Sequence, residues 1–475
     1  MLPTKILTCR GYSVEKSAIS AAQRDLIEKE LTVTPFVPKT FAGTAAPFKV
    51  WVESPSRYYL PNAWARATFG AADRDIRAAG APLPPTLAFR GALRPHQVEA
   101  LAAFDGAARN GIICLPCGYG KTFTGIAAAA AIGRAFMIVV HKEFLADQWS
   151  EELRTLLPGV RIGRIQGEKC DVGDDVDVSI AMIQTLCSRG YPAGTFDRFG
   201  FAIFDEVHHL GAEHFSQALQ RINCPQMLGL TATPKRADGL SKVFEMHLGA
   251  IVYQILRRPK DDTVICEALR YECDDPAYAE VRTDFRGQPI RAVMINQIAN
   301  YAPRHAAVMD WVMGIMEDPA RRLLVLSDRR EHLIAFETAF RARGVSSVGY
   351  YVGGMKQKDL DVSATQRVIL GTFAMASEGM NIPTLNTVLL ATPKSNIEQS
   401  VGRILRQKKE ERAVQPMILD VVDATFMECL GQWTRRRKFY RECGYVVRWA
   451  GETTTEAEAP AAPEPRGVPL FVEED

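Results

Sequence analysis

Residues 111–122 read Gly-Ile-Ile-Cys-Leu-Pro-Cys-Gly-Tyr-Gly-Lys-Thr, and this stretch decides the fold of the domain that contains it. An apolar run leads into a loop with Gly118 and Gly120, and an alanine-rich run typical of a helix follows the loop. A loop between a strand and a helix N-terminus directs backbone N–H groups at an anion. The pattern predicts an α/β domain with a phosphate site, in which Lys121 reaches the phosphates and the Thr122 hydroxyl reaches Mg²⁺.

A pair of acidic residues, Asp205 and Glu206, follows the apolar run 201–204. Carboxylates at the end of such a strand can hold Mg²⁺ through Asp205 and orient or deprotonate an attacking water through Glu206. An acidic pair at a helix N-terminus is the alternative interpretation. The neighbouring His208 and His209 favour a coupling role over a metal site, because adjacent histidines point in different directions.

Strand candidates alternate with helical patterns in two consecutive series, as expected for parallel sheets covered on both faces. The first series comprises residues 111–115, 136–140, 176–181, 201–204 and 226–230. The second comprises residues 264–271, 322–326, 347–351, 367–371, 387–390 and 417–421. We therefore predict an α/β chain with two tandem RecA-like parallel-sheet domains, at residues 89–258 and 259–449.

The N-terminal residues 1–88 are predicted to form a small accessory domain that packs on the first lobe. A helix is expected at 14–31, and the proline-rich run 81–85 is typical of a linker. Four aromatic residues are predicted to form the small core of this domain, with a face that stacks on duplex DNA as the alternative. These residues are Phe48, Trp51, Tyr58 and Tyr59.

The C-terminal residues 450–475 combine prolines with glutamate, alanine and threonine, and this composition predicts a disordered acidic tail. Seven acidic residues and one arginine lie within 452–475, so this segment carries a net charge of −6. The rest of the chain carries +8, which gives the total of +2. A modestly basic body suits a polyanionic partner without requiring one.

Cysteine usage and hydropathy indicate a soluble intracellular protein without a membrane partner. Ten cysteines without paired spacing are typical of reduced thiols, and the single CxxC pair, Cys114 and Cys117, lacks the second pair of ligands that zinc requires. Residues 1–12 lack the apolar centre of a secretory signal, and the most apolar stretch, 123–133, is about half a membrane span.

Further motifs join the first two in a fixed order, and the set resembles the superfamily 2 DExH helicases over residues 89–445. The matching residues are Gln97 in Leu-Arg-Pro-His-Gln, Thr231 and Thr233 in Thr-Ala-Thr, and Gln399, Arg403 and Arg406 in Gln-Ser-Val-Gly-Arg-Ile-Leu-Arg. The resemblance implies that Gln97 reads the adenine of ATP and that Gly379 also contacts the nucleotide. It further implies catalytic roles for Gln399, Arg403 and Arg406, and coupling roles for His208, Thr231 and Thr233.

Within that superfamily, residues 229–234, Gly-Leu-Thr-Ala-Thr-Pro, followed by Arg236, Asp238 and Gly239, resemble the XPB group. Other stretches are similar to compact helicases of large DNA viruses, including the poxvirus transcript-release type, and of some phages. They are His141-Lys142, Gln148-Trp149, Leu-Ser-Asp-Arg at 326–329 and Tyr-Val-Gly-Gly at 351–354. Two departures limit the resemblance. Asn381 stands where the family usually has aspartate, and the Arg-Glu-Asp element of cellular XPB is absent from the sequence.

The resemblance also implies a set of nucleic-acid contacts distributed over both lobes. They are Lys142, Gln184, Thr185, Arg329, Gly353 and Thr372. The basic run 435–438, flanked by Trp433 and Tyr440, is predicted to add an electrostatic and stacking surface, with a solvated helix face as the alternative.

These expectations define an ATP- and Mg²⁺-dependent DNA helicase or translocase. It would act as a monomer that holds a single DNA strand across both lobes, in viral transcription, repair or recombination. Duplex DNA and the transcription machinery are left open as further partners. An RNA helicase and an ATP-gated nucleic-acid-binding protein without unwinding activity are the alternatives.

Overall fold

The computed structural model describes residues 4–34, 46–116, 118–209, 213–232, 240–255, 260–285, 287–378, 380, 382–405, 407, 409 and 412–452. The chain divides into two compact units, Met1–Leu256 and Arg257–Asp475. The predicted accessory domain and first lobe thus form one unit, and the second lobe belongs to the other. The predictions for Cys117, Thr233, Gly379, Asn381, Arg406 and the acidic tail from 453 onward lie outside the described residues.

The accessory domain is built on a small, mainly antiparallel sheet with strand order β5-β6-β2-β1-β7, in which only the β1–β7 pair is parallel. A second pair, β3 with β4, is antiparallel. The elements are β1 (Lys5–Thr8), β2 (Gly11–Glu15), α1 (Ala21–Leu31), β3 (Thr32–Val33), β4 (Phe48–Lys49), β5 (Val52–Glu53), β6 (Arg57–Leu60), α2 (Asn62–Phe69) and β7 (Arg74–Asp75).

The predicted helix at 14–31 is wrong in its first third. Val14 lies in β2 and pairs with Tyr58 of β6, so strand pairing takes this residue. The α-helix begins after Ser20, whose hydroxyl accepts from the Gln23 backbone N–H while the Gln23 side chain accepts from the Ser20 N–H. This reciprocal capping box fixes the start of α1.

The core prediction for the accessory domain is confirmed for Phe48 and Trp51, which are buried. Tyr58 and Tyr59 are half-buried. Leu240 and Val243 of the first lobe are buried in the same apolar cluster, and α2 packs against the helix that contains Val243. The accessory domain and the first lobe therefore share a core.

The first lobe contains an eight-stranded sheet of order β11-β10-β12-β9-β13-β14-β8-β15, parallel except for the β10–β11 pair. Apolar clusters lie on both faces, with helices α3 to α5 in one cluster and α6 to α8 in the other. The elements are α3 (Pro95–Gly106), β8 (Asn110–Cys114), α4 (Lys121–Ile132), β9 (Phe136–Val140), α5 (Glu143–Leu156), β10 (Ile162–Gln166), β11 (Lys169–Cys170), β12 (Val178–Met182), α6 (Ile183–Ser188), β13 (Phe201–Asp205), α7 (Glu213–Arg221), β14 (Gln226–Thr231), α8 (Ser241–Leu248) and β15 (Ile251–Gln254).

The second lobe contains a seven-stranded, entirely parallel sheet of order β18-β19-β17-β20-β21-β16-β22, again with apolar clusters on both faces. The elements are β16 (Ile265–Tyr271), α9 (Pro276–Ala279), α10 (Arg291–Asn300), α11 (Ala302–Ile315), β17 (Leu323–Ser327), α12 (Arg330–Ala342), β18 (Val348–Tyr351), α13 (Gln357–Ala364), β19 (Val368–Thr372), α14 (Phe373–Glu378), β20 (Thr387–Leu390), α15 (Glu398–Val401), β21 (Met417–Asp423), α16 (Met427–Glu442) and β22 (Val446–Trp449).

The predicted stacking surface at 435–438 is wrong. Trp433 and Tyr440 are buried, because α16 packs this face against β21 and β22. Arg436 points the same way and forms two 2.8 Å hydrogen bonds with the buried Asp420 carboxylate. Arg436 therefore anchors α16 to β21, whereas Arg435 and Lys438 are exposed.

Among the helices that the structure describes, none combines the length and the apolar composition of a membrane span.

Candidate active site and nucleic-acid edges

The phosphate loop has the backbone that its glycines allow. Gly118 and Gly120 have φ values of +85° and +77°, in the left-handed region that favours glycine. A Cβ at Gly120 would lie 2.5 Å from Gln97 Nε2, so a larger residue does not fit without a shift. Helix α4 begins at Lys121, and its first-turn N–H groups offer the predicted anion site.

An ion pair joins the phosphate loop to the acidic motif. Lys121 Nζ lies 2.6 Å from Glu206 Oε1, and the two side chains are 12% and 17% exposed. Glu206 has a φ of +49°, which is uncommon for a residue with a Cβ and typical of strained functional positions. The lysine and the acid that the sequence singled out separately therefore meet in one site.

The Asp205 carboxylate is buried at the end of β13 and held by two donors. The indole Nε1 of Trp149 donates to Oδ2 over 2.9 Å, and the Glu206 backbone N–H donates to Oδ1 over 3.0 Å. Burial raises the pKa of Asp205 to about 6; the negative charge of Glu206 adds to this rise and Lys121 opposes it.

These residues fit Mg²⁺. Thr122 is the second residue of α4, and Asp205 ends β13. The Thr122 hydroxyl and the Asp205 carboxylate offer oxygen ligands of the kind that Mg²⁺ prefers. Mg²⁺ usually takes one or two protein ligands and keeps waters and phosphate oxygens as the others. Within the described ranges, no cluster of three or more histidine, cysteine, aspartate or glutamate side chains is arranged to hold a metal by itself.

His208 lies between Glu206 and the Thr-Ala-Thr motif. Its Nδ1 lies 3.2 Å from Thr231 Oγ1 and 3.4 Å from Glu206 Oε2. Thr231 is fully buried at the end of β14. The geometry thus brings two of the three predicted coupling residues together beside Glu206, while Thr233 lies outside the described residues.

The Gln97 side chain is buried, and both its amide nitrogen and its amide oxygen form hydrogen bonds with the main chain. Its Nε2 donates to the carbonyls of Tyr119 and Gly120 over 3.3 and 3.4 Å, and its Oε1 accepts from the Arg94 N–H over 2.8 Å. The side chain therefore ties the start of α3 to the phosphate loop. Its predicted contact with adenine stays a prediction.

The three predicted nucleic-acid residues of the first lobe lie at the carboxyl edge of neighbouring strands. Lys142 follows β9 and is the N-cap of α5, while Gln184 and Thr185 lie in α6, directly after β12. Gln184 Nε2 donates to the His141 carbonyl over 2.7 Å, which joins the two segments. Thr185 Oγ1 accepts from the Gly167 N–H over 3.1 Å. Burial lowers the pKa of Lys142.

The second lobe repeats this arrangement. Arg329 follows β17, Gly353 follows β18 and Thr372 ends β19, and these three strands are neighbours in the sheet. The Arg329 guanidinium donates to Asn296 Oδ1 over 2.5 Å and to the Ala292 carbonyl over 3.2 Å. The three residues thus share one edge of the parallel sheet, where we predicted a contact with the nucleic-acid strand.

Arg403 is buried within the second lobe. Its guanidinium donates to the carbonyl of Ala376 and, over 2.7 Å, to that of Met380. Gln399 is half-buried in α15. The catalytic roles of Arg403 and Gln399 stay predictions, and Arg406 and Gly379 lie outside the described residues.

One contact of the candidate site was missed from the sequence. Trp149 was noted only as part of a family resemblance, whereas its indole holds the Asp205 carboxylate. The two residues are 56 positions apart in the chain, and neither motif carries a signal of the other.

Comparisons with known proteins bear on the family of the chain. The model of the family "Type III restriction enzyme, res subunit" matches residues 90–236. A protein of Acanthamoeba polyphaga mimivirus, named as an ATP-dependent RNA helicase, is 30% identical over 458 residues, covering 94% of this chain and 87% of its own. The DNA 3'-5' translocase XPB2 of Sulfurisphaera tokodaii is 36% identical over 165 residues, which are 34% of this chain and 35% of its own.

Among solved structures, S. cerevisiae Dbp5 bound to RNA and ADP BeF3 matches with a TM-score of 0.52 at 12% identity, covering 76% of this chain and 95% of its own. This similarity concerns the fold alone. With the mimivirus relative aligned over almost its whole length, the chain belongs to the superfamily 2 helicases, which are ATP-dependent, and helicases of large DNA viruses are among its relatives.

Proposed function

We propose that this helicase is a DNA-stimulated ATPase that converts ATP hydrolysis into movement along DNA. The observation that carries the proposal is the shared edge of the first-lobe sheet. In the candidate ATP site, Lys121 follows β8 and Asp205 ends β13. Lys142 follows β9 and Gln184 follows β12, which are the next two strands beside β13 in the sheet. Ligands bind at the carboxyl ends of strands in such open parallel sheets.

The residues of the chain divide the work of phosphoryl transfer. Lys121 binds phosphate oxygens, and Glu206, once Lys121 has exchanged it for phosphate, orients the attacking water and accepts its proton. Mg²⁺, held through Thr122 and Asp205, would supply neutralisation of the charge that develops on the phosphate oxygens. Arg403 from the second lobe would add a further positive charge.

The preference for DNA is supported by the relative named as a DNA translocase, which is 36% identical over 165 residues. The competing candidate, an RNA helicase, is favoured by the mimivirus relative that is named so and is 30% identical over 458 residues. Lys142, Gln184 and Thr185 along this edge would serve either polymer, because DNA and RNA both present phosphates and phosphate contacts carry no sequence information.

The deciding experiment measures the ATPase rate against single- and double-stranded DNA and RNA of matched length at fixed salt, because phosphate contacts make binding salt-dependent. We expect DNA to stimulate the rate more strongly than RNA. Glu206→Gln should abolish turnover while an ATP analogue still binds. Stronger stimulation by RNA would favour the RNA helicase, and turnover by Glu206→Gln would remove the hydrolytic role of this acid.

A strand-displacement assay run beside a translocation assay tests the third candidate. Stimulated ATPase activity with movement on DNA supports the motor. ATP-dependent binding with neither movement nor strand displacement would identify an ATP-gated binding protein.

A further inference from the structure

The Trp149 side chain links two parts of the first lobe that the proposed function uses separately. It lies on α5, is 1% exposed, and donates its indole N–H to the Asp205 carboxylate over 2.9 Å. The far edge of the ring packs on α4, where a Cβ at Gly125 would lie 3.0 Å from Trp149 Cη2. Because glycine destabilises a helix interior relative to alanine, its presence at 125 fits this close approach of the indole.

The carboxylate depends on that contact. Asp205 is buried, and its two oxygens accept from the Trp149 indole and from the Glu206 backbone N–H. A buried carboxylate that loses a donor bears an uncompensated desolvation cost, so the indole favours one orientation of the Asp205 side chain. The orientation of this side chain decides where its oxygens face a metal ion.

The other end of α5 belongs to the nucleic-acid edge. Lys142 is the N-cap of α5, and the carbonyl of the preceding His141 accepts from Gln184 over 2.7 Å. Trp149 lies seven positions after Lys142, which corresponds to about 10 Å along a helix axis. Because α5 is one continuous helix with Trp149 on its buried face, a shift of its N-terminus would displace the indole relative to Asp205.

We propose that Trp149 is a positioning residue that couples nucleic-acid binding at the Lys142–Gln184 edge to the orientation of the Asp205 carboxylate. The proposal rests on the proposed function, because it requires a nucleic acid at this edge. The bound strand fixes the N-terminus of α5, and α5 holds the indole N–H against the carboxylate that would carry Mg²⁺. Trp149 itself acts only through Asp205.

The test compares two indole-to-carboxylate contacts in the full chain. Trp149→Phe removes the N–H donor and keeps an aromatic ring. The matched control is Trp311→Phe, because Trp311 Nε1 donates to Glu267 Oε1 over 2.8 Å in the second lobe. Mn²⁺ affinity is measured by electron paramagnetic resonance in the presence of a non-hydrolysable ATP analogue. The second readout is the ratio of ATPase rates with and without nucleic acid.

We expect Trp149→Phe to weaken Mn²⁺ binding about tenfold, the factor for losing a hydrogen bond to a charged group, and to lower the stimulation ratio. Trp311→Phe should keep both wild-type values. If Trp149→Phe does not fold, Gly125→Ala displaces the ring without removing its N–H and should change both readouts in the same direction, to a smaller extent.

Three outcomes would overturn the proposal. Unchanged Mn²⁺ affinity in folded Trp149→Phe removes the positioning role, and weaker Mn²⁺ binding with full stimulation removes the coupling. Equal effects from Trp311→Phe would make the effect nonspecific. If no nucleic acid raises the ATPase rate of the wild-type protein, the proposed function is refuted instead. The wild-type protein alone shows this outcome, without any substitution.

Discussion

The two lobes hold their candidate catalytic cations in different ways. In the first lobe, Lys121 is paired with a charged side chain, Glu206, at 2.6 Å. In the second lobe, the Arg403 guanidinium is bonded to neutral main-chain carbonyls, those of Ala376 and Met380. Both side chains are largely withdrawn from solvent. The described contacts therefore place a carboxylate beside Lys121 and main-chain carbonyls beside Arg403.

This difference sets what each cation gains from a phosphate. Under the proposed function, Lys121 would exchange the Glu206 carboxylate for phosphate, and this exchange would release Glu206 to act on the attacking water. Under the same proposal, Arg403 would exchange the carbonyls of Ala376 and Met380 for phosphate oxygens, and charge-assisted hydrogen bonds are about twice as strong as neutral ones. We therefore expect a phosphate to compete with a carboxylate at Lys121 and with main-chain carbonyls at Arg403.

The largest expected effect comes from removing the lysine of the first lobe. Lys121→Ala should lower the ATPase rate at least about a thousandfold, because it removes the charge beside the transferred phosphate and leaves Glu206 without its cation. The rate is measured at saturating ATP and nucleic acid. Lys169→Ala is the matched control, since this lysine is 62% exposed in the same lobe, and a similar loss there would contradict a site-specific role.

The second effect concerns stability of the second lobe. Arg436→Leu leaves the buried Asp420 charge without its partner and should lower the free energy of unfolding by about 3–5 kcal/mol. Urea unfolding followed by far-ultraviolet circular dichroism measures the change. Arg435→Ala, one residue earlier but exposed, should leave stability unchanged. An unchanged stability of Arg436→Leu would contradict the anchoring role of this residue.

The third prediction tests the role of Arg403 in the second lobe. If this residue acts on phosphate, Arg403→Ala should reduce kcat at least about a hundredfold in protein that remains folded. The loss of two carbonyl contacts should also cost about 1–3 kcal/mol of stability. Arg341→Ala is the control, because Arg341 is half exposed on α12 and pairs with Glu337. Lower stability with unchanged kcat would reduce Arg403 to a structural role.

The smallest effect concerns His247 of α8. Burial lowers its pKa from 6.5 to about 3, so the folded protein keeps this imidazole neutral while the unfolded chain takes up a proton below pH 6.5. The stabilising contribution is therefore present above pH 6.5 and is lost as pH falls towards 3, by about 1.4 kcal/mol at pH 5.5. Unfolding at pH 7.5 and 5.5 should show a smaller pH effect for His247→Phe than for the wild type.

A pH dependence that is the same in His247→Phe and wild type would contradict the burial-driven shift. Burial also lowers the pKa of His332 well below its usual value, in the second lobe. His332→Phe therefore provides the comparison variant, and the sign of its effect should be the same.

The strands that the sequence predicted best are those buried on both faces. All five residues of β9 and of β13 are buried, and each appears in the sequence as a continuous apolar run. Strand β10, Ile-Gly-Arg-Ile-Gln, was missed because its half-exposed residues interrupt that pattern. Strand β22, Val-Val-Arg-Trp, lies at the sheet edge and was missed for the same reason.

The candidate site was predictable in its residues but not in its bonds. The phosphate loop and the Asp205-Glu206 pair each carry a local signal, so Lys121 and Glu206 were identified separately. The amide of Gln97 and the guanidinium of Arg403 bond to carbonyls of remote segments, and no residue type encodes a main-chain carbonyl. Arg436 looked like a surface charge because its partner Asp420 lies on another element.

The apolar cluster that includes Leu240 and Val243 makes the accessory domain inseparable from its neighbour. A fragment that starts at residue 89 would expose both side chains to water together with the face of α8 that α2 covers. Such a truncation is therefore expected to aggregate rather than to behave as a minimal motor. Fragments meant to dissect the enzyme should be cut near residue 257, where the chain passes from one compact unit to the other.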